Sequence, residues 1–494
     1  MHELSMTTQI VDSVLEEAEK QDAKKVTEVH LVIGKLTFLG IEQVRFAYNI
    51  LVEDTIMKGS KLFIEEKDGV IECPSCGYKG SIQYGDDPAY HVPIPTLRCP
   101  KCGKAAKILE GKECTIRSIK MLKYENGNMQ PSNKQMEQFR DPALARKVAD
   151  HIRKLAPPHE TKFCHVCGTH EWTITHYGLR SLLPQNVDVI AGPGCPVCVA
   201  PAADIDEAIA LAKKGVTVTT FGDLIRVPGS ETSLQEAKAS GGDVRIVYAL
   251  GDAIQMAERN PDKEFVFLAV GFETTSPSTA IEVLNKPPEN FSFLVSHRLI
   301  PPAMELLLGI GDLHIDGFVA AGHVSTIIGL KPYEVFTEAY GMPTVVAGFE
   351  PLDVLFAIDM LMQQLKDGEA RLENEYKRVV AWEGNIKAQK LLKQVFDVVD
   401  GRWRGLGNLP KSALELKKEF EAYDARKKYD LKIGNSRDIL KGCLCHLVMV
   451  GKIRPPECPS YMRSCVPESP KGPCMVSNEG TCRIWAKHNV TKLL

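Results

Sequence analysis

Fifteen cysteines in a chain of 494 residues carry most of its chemical potential, and they fall into sets with three different spacings. Cys73-Pro-Ser-Cys76 and Cys99-Pro-Lys-Cys102 form two knuckles near the front. Cys164, Cys167, Cys195 and Cys198 lie mid-chain, in KFCHVCGTH and GPGCPVC. Cys443, Cys445, Cys458, Cys465, Cys474 and Cys482 crowd the last stretch. Thiolates bind soft and borderline metals and exchange electrons, so the division points to separate metal or redox tasks.

The CPxCG pair reads as structural zinc (Zn2+), each knuckle gripping one ion with two thiolates while Gly77 and Gly103 allow the backbone turn. Two reactive dithiols are the alternative; His91 and Cys114 read as bystanders. In the middle set, a strand runs into a Gly turn and leaves Cys167 at its carboxyl end, the edge where parallel α/β sheets bind ligands. His165 and Cys167 share one strand face and Cys164 takes the other. His170 sits just past the turn. Cys195 and Cys198 follow the next strand and precede a helix at Ala202, which places them near a helix N-terminus that favours thiolate. Cys458, Cys465, Cys474 and Cys482 supply four thiolates on a loop-rich tail, enough for a [4Fe–4S] cluster, with zinc or free thiols as alternatives. Cys443 and Cys445 remain as a redox dithiol, or either could replace one of those four.

Elements must position these groups. Ser5–Gln21 has a helical apolar stripe, Val26–Val32 alternates as a strand, and a helix around Ile41–Val52, the strand KLFIEE and a closing strand Thr115–Leu122 complete a small α+β domain, residues 1–122. The ribbon occupies about 70–112. Residues 123–135 (KYENGNMQPSNKQ) read as a linker, after which a helical segment begins as a separate protein would; the pattern predicts a fusion. Strand-like runs then recur: KFCHVC, VDVIAG, VTVTTFG, DVRIVYA, EFVFLAVGF, FSFLVSH, GFVAAGH and PTVVAGF. Helical patterns between most of them imply parallel sheets in two lobes across 136–430. From Pro351 to about Asp430 the chain reads as mostly charged helix, and 431–494 as a Cys-rich domain.

A formal charge of −3 gives no global footprint for nucleic acid. The start lacks the plan of a signal peptide, and no apolar run reaches membrane-helix length. The chain is expected in the cytoplasm, where paired cysteines more often mean metal or catalysis than structural disulfides.

MHELS, the helix–strand pattern and the CPxCG pair resemble HypA, the nickel-delivery accessory family of [NiFe] hydrogenase maturation. The resemblance covers residues 1 to about 122 and implies that His2 takes nickel (Ni2+) and that Cys73, Cys76, Cys99 and Cys102 take zinc. The 22-residue gap between knuckles exceeds that of the shortest family members. From about residue 136 onward, CGTH, LLPxN, GPGCPVCV, GFETTxPxTA, HRxIPPAM, GHVSTIIG, GFEPLD and GPCMVSxEGxC resemble HypD, the scaffold on which the Fe(CN)2CO group is assembled. That resemblance implies two Rossmann-like lobes and a C-terminal [4Fe–4S] domain. It further implies that Cys167 holds the transient Fe(CN)2CO iron and that Cys195 and Cys198 perform thiol redox chemistry. Cys164-His165 stands where many members have Met-Glu, and Ala321 replaces a proline. Expected partners are a HypC-like chaperone, a HypE-like cyanide donor, a HypB-like GTPase and a hydrogenase large subunit. The competing reading is a cluster-linked thiol–disulfide reductase with a separate zinc domain, using Cys195 and Cys198 as the active dithiol.

Overall fold

Alternation in the front segment produces a half-buried sheet. The strand β1 (Lys25–Gly34) turns Val26, Val29, Leu31 and Ile33 inward onto the helices His2–Lys20 and Ile41–Leu51. It pairs in parallel with β2 (Lys61–Lys67). In the computed structural model the described residues are 2–20, 23, 25–37, 39, 41–52, 55–81, 99–102, 107–111, 113–122, 138–431, 433–434, 436–488 and 490. They divide into two units, Met1–Ser132 and Asn133–Leu494. The linker expected at 123–135, His91, Gly103 and the side chain of His2 lie outside the described residues.

In the first unit a small antiparallel sheet follows β2, made of β3 (Val70–Glu72), β4 (Lys79–Ser81) and β5 (Lys107–Glu110) in the order β4-β3-β5. Then β6 (Cys114–Leu122) returns antiparallel to β1. The knuckle cysteines extend from the ends of the small sheet.

The second unit opens on the helix Pro142–Leu155. Asp141 accepts the amides of Ala143 and Leu144, Pro142 fits the first turn, and Val148, Ala149, Ile152 and Leu155 form the buried stripe. Two all-parallel sheets follow. One is built from β7 (Thr161–His165) and β8 (Val187–Ala191), which the chain leaves and later rejoins with β13 (Gly317–Ala321), β14 (Thr344–Ala347) and β15 (Leu372–Asn374), in the order β15-β14-β13-β7-β8. The other, inserted between, contains β9 (Thr217–Thr220), β10 (Val244–Ile246), β11 (Phe265–Gly271) and β12 (Phe291–His297), in the order β10-β9-β11-β12. Every residue of β11 and β12 is buried, as continuous apolar strands covered on both faces should be. All eight strand-like runs are strands of these sheets.

The stretch from Pro351 to Asp430 departs from its charged-helix expectation. Helices cover Pro351–Asp367, Ile386–Val395 and Ala425–Lys428, but LENEYKRVVAWEGN is not helical and begins with β15, while β16 (Phe396–Trp403) and β17 (Gly407–Leu416) form an antiparallel hairpin with a bulge between Val399 and Gly401. The charges along FDVVDGRW line an exposed strand face, not a helix surface. Trp403 anchors the hairpin, fully buried and donating from Nε1 to Ser412 Oγ at 2.9 Å.

The cysteine-rich tail packs on both sheets. Arg454 Nη2 reaches Asp188 on β8 at 2.5 Å, and Arg226 Nη2 donates to the Pro467 carbonyl at 2.8 Å from the other sheet's side. No helix among the described residues is long and apolar enough to cross a membrane.

Candidate metal centres

Cys73, Cys76, Cys99 and Cys102 are the sole group among the described residues with three or more potential ligands whose donor atoms all lie within 4.8 Å of one another. Sulfur–sulfur separations are 3.5 Å for Cys73–Cys102 and 3.5 Å for Cys76–Cys99. Tetrahedral thiolates about 2.3 Å from one ion stand roughly 3.8 Å apart, so the four sulfurs fit a single zinc. Gly77, at φ +70°, closes its knuckle with its amide on the Cys73 carbonyl at 2.9 Å. Cys114, half-buried on β6, packs with the core of the first unit instead.

The mid-chain cysteines meet at the carboxyl ends of β7 and β8. The Gly192 amide bonds to the His165 carbonyl at 2.7 Å and the Gly168 amide to the Gly194 carbonyl at 3.3 Å, which lock the two strand-end turns together. The resulting cleft is lined by His165, Cys167, Glu171, Cys195, Cys474 and Glu479, among others. Cys164 takes the opposite strand face; burial pushes its thiol far up, and its Sγ occupies the space against Gly192. It is a packed core thiol.

Cys167 caps the helix Gly168–His176. A helix N-terminus ordinarily lowers a thiol, yet burial and the Glu479 carboxylate push Cys167 up to about 11, against hydrogen bonds from the His170 and Thr169 amides. A thiol raised in this way holds its proton at neutral pH, and a metal ion must displace that proton to bind. Cys195 and Cys198 are joined as a disulfide, with the Cys198 amide donating to Cys195 Sγ at 3.2 Å. The thiolate expectation for this pair therefore does not apply to the state seen; the helix beneath it, Pro196–Val199, spans a single turn.

His170 points away from the cleft lining. Its Nε2 meets the Gly348 carbonyl at 2.9 Å, its ring stacks on Phe349, and burial lowers its pKa to about 3. It ties the helix after Cys167 to the turn after β14. Glu171, Glu479 and Met449 at the cleft are residues that motif reasoning passed over. Glu171 lies directly after CGTH and Glu479 inside GPCMVSxEGxC, so their positions were available though their roles were not. Burial raises Glu479 to about 7.

A second buried carboxyl, Glu273 in the GFETT turn, is raised to about 7 by burial; its Oε1 accepts the Ile300 amide at 3.0 Å while Oε2 has no partner. A carboxyl whose folded pKa lies above its unfolded value stabilises fully below about pH 4.3, and that contribution drains as pH rises towards 7. Glu273→Gln should therefore gain stability relative to the parent as pH is raised from 5 to 8, by up to about 3 kcal/mol, read by denaturant unfolding at both pH values. Equal differences at both would show that Glu273 titrates normally.

The six C-terminal cysteines line one further cavity, with Ser460, Tyr461, Gly472 and Met475. Cys445 donates a hydrogen bond to Cys443, lowering the Cys443 thiol to about 7 and raising its own. A hydrogen bond with Cys474, together with burial, raises Cys482. These thiols surround a space without closing to single-ion distances, a donor set that fits a group larger than one zinc. Gly472 is pressed against it: a Cβ there would lie 2.7 Å from Cys443 Sγ. Cys474 lines this cavity and the Cys167 cleft alike.

A four-thiol ribbon in one unit, and two sulfur-lined cavities sharing a wall at the edge of a parallel sheet in the other, define a metal-handling protein. The chain belongs to the HypD family, whose model, described as Hydrogenase formation hypA family, matches residues 143–489. The HypA model, described as Hydrogenase/urease nickel incorporation, metallochaperone, hypA, matches residues 1–121, so a HypA domain and a HypD domain share one chain. A relative from Methanocaldococcus jannaschii is 48% identical over 357 residues, covering 72% of this chain and 99% of its own. Hydrogenase maturation factor HypD of Cupriavidus necator is 45% identical over 362 residues, covering 71% of this chain and 95% of its own. The solution structure of the nickel metallochaperone HypA from Helicobacter pylori aligns with 25% of this chain and 98% of that one, at 23% identity and a TM-score of 0.19.

Proposed function

We propose that this hydrogenase maturation fusion serves both metals of a [NiFe] centre. Its front domain (1–122) delivers nickel through His2 and holds structural zinc on Cys73, Cys76, Cys99 and Cys102. After the linker, the two-lobed region (136–430), read as Rossmann-like, carries the Fe(CN)2CO group as cargo on Cys167. The C-terminal domain (431–494) binds a [4Fe–4S] cluster through Cys458, Cys465, Cys474 and Cys482, with Cys443 and Cys445 beside it. The work belongs to the cytoplasm, with a HypC-like chaperone, a HypE-like cyanide donor, a HypB-like GTPase and a hydrogenase large subunit as partners.

One observation carries the iron half: Cys167 is the one free thiol that lines this cleft without also lining the second cavity, with a disulfide on one side and the shared Cys474 wall on the other. A lone thiol suits cargo. Closed four-sulfur ligation of the ribbon type would hold iron too well to release it, whereas one thiolate donates charge to a low-spin iron and lets it go. A bound cluster would supply single electrons. The protein's own part is to keep the cleft dry, to hold Cys167 at the helix cap, and to let the Cys195–Cys198 disulfide take up two electrons and two protons as it opens to the dithiol.

Cys167→Ala should abolish the cyanide and carbonyl infrared bands of anaerobically co-isolated protein while visible cluster absorbance persists. Bands that survive would remove Cys167 from the iron. The disulfide beside Cys474 also favours the reductase reading; turnover of a generic disulfide by the Cys167→Ala protein, without cargo bands in the parent, would select it.

A further inference from the structure

His165 is 1% exposed, and its Nε2 lies 2.8 Å from Glu171 Oε2. The Glu171 carboxylate accepts three other groups: Arg180 from Nη1 at 3.0 Å and Nη2 at 2.8 Å, the Thr175 hydroxyl at 2.7 Å, and Trp485 Nε1 at 2.6 Å. Each of these partners donates, so the carboxylate acts as acceptor throughout and the imidazole proton sits on Nε2. In the neutral ring this tautomer puts the remaining lone pair on Nδ1, which is buried and without a hydrogen-bond partner. A buried polar atom with no partner costs free energy, so its retention calls for an explanation. His165 lines the same cleft as Cys167. His170 also has an unpartnered Nδ1, but it lies outside the cleft lining.

We propose that His165 Nδ1 is a second protein ligand, beside Cys167 Sγ, for the iron carried in this cleft. The inference rests on Cys167 as the iron thiolate and adds a nitrogen donor to it. Imidazole is a borderline donor suited to ferrous iron, and a carboxylate on its far nitrogen fixes the tautomer and raises the basicity of the near one. Arg180, Thr175 and Trp485 hold that carboxylate still.

Cobalt(II), added anaerobically to the zinc- and cluster-loaded full chain, is the probe, with Cys167→Ala as the reference for cleft signals. His165→Gln keeps a side-chain N–H for Glu171 but removes the Nδ1 lone pair. It should keep the parent's melting temperature, weaken cobalt binding at least tenfold, and shift the ligand-field bands while sulfur-to-cobalt charge transfer remains. Parent-like affinity and bands in His165→Gln would overturn the proposal. Should that variant misfold, electron–nuclear double resonance of the cobalt-loaded parent decides: a strongly coupled nitrogen that disappears in Cys167→Ala supports it, and no such nitrogen sinks it. Charge transfer that persists in Cys167→Ala would instead refute the thiolate reading beneath it.

Discussion

Gly194→Ala should empty the Cys167 cleft of its iron cargo although it touches no thiol. A Cβ at position 194 would lie 2.2 Å from the Cys167 amide nitrogen and 2.2 Å from the Val166 carbonyl carbon, both backbone atoms that cannot swing aside. The turn carrying Cys195 and the turn carrying Cys167 must then part. Gly168 and Gly480 work in the same way: a Cβ would meet the Glu479 carbonyl at 2.5 Å and the Cys474 carbonyl at 2.2 Å. These glycines let three backbone segments approach until one cysteine wall serves two cavities. Overpacking of this kind costs about 1–3 kcal/mol or more. The larger effect is geometric, because a ligand displaced by an ångström no longer shares a metal with its neighbour. The expected result is loss of cyanide and carbonyl infrared bands with cluster absorbance retained. Gly251→Ala is the control: nothing lies within 4 Å of its Cβ, and its helical position favours alanine. Bands at parental intensity in Gly194→Ala would show that the turns can separate without harm.

The reason these glycines matter was not legible from spacing, whereas the cysteines they serve were. CPxCG twice announces four sulfurs around one ion because the turn is local: the Cys73 carbonyl and the Gly77 amide are four residues apart. Eight of the nine strands of the two parallel sheets were legible because strands buried on both faces leave runs such as FVFLAVG, which need no partner to be recognised; the short β15 was not. The β16–β17 hairpin was not. Its inward residues are interrupted by a bulge, and its charged face copies the composition of a helix surface. Long-range pairings were hidden most deeply. Nothing near Trp485 indicates that its indole serves a carboxylate 314 residues away, and nothing near Cys474 indicates that it faces two cavities. His170 carried a motif signal and proved to brace a helix, while its neighbour Glu171 carried none and sits at the centre of the network.

That network supplies the second large effect. Glu171 is fully buried, and burial alone would raise its carboxyl; the Arg180 charge and the His165 and Arg180 hydrogen bonds overcome this and hold it well below the usual carboxylate range. Glu171→Ala leaves the Arg180 guanidinium without its counter-charge and an indole N–H and an imidazole N–H without their acceptor, and breaking a buried pair from one side costs about 3–5 kcal/mol. For a unit of this size that corresponds to a fall in melting temperature of roughly 4–7 °C. The pH dependence carries the diagnostic sign. A carboxylate whose folded pKa is depressed contributes stability that is fully present above its unfolded value, about 4.3, and is lost as pH falls through the folded one. The gap in melting temperature between the parent and Glu171→Gln should therefore be widest near pH 7 and narrow progressively below pH 4. Glu171→Gln keeps one carbonyl acceptor, so its loss at pH 7 should be smaller than that of alanine. A gap that stays constant across that range would mean that the indole and guanidinium value only the shape of the side chain, and that the charge at Glu171 contributes nothing to holding the Cys167 helix.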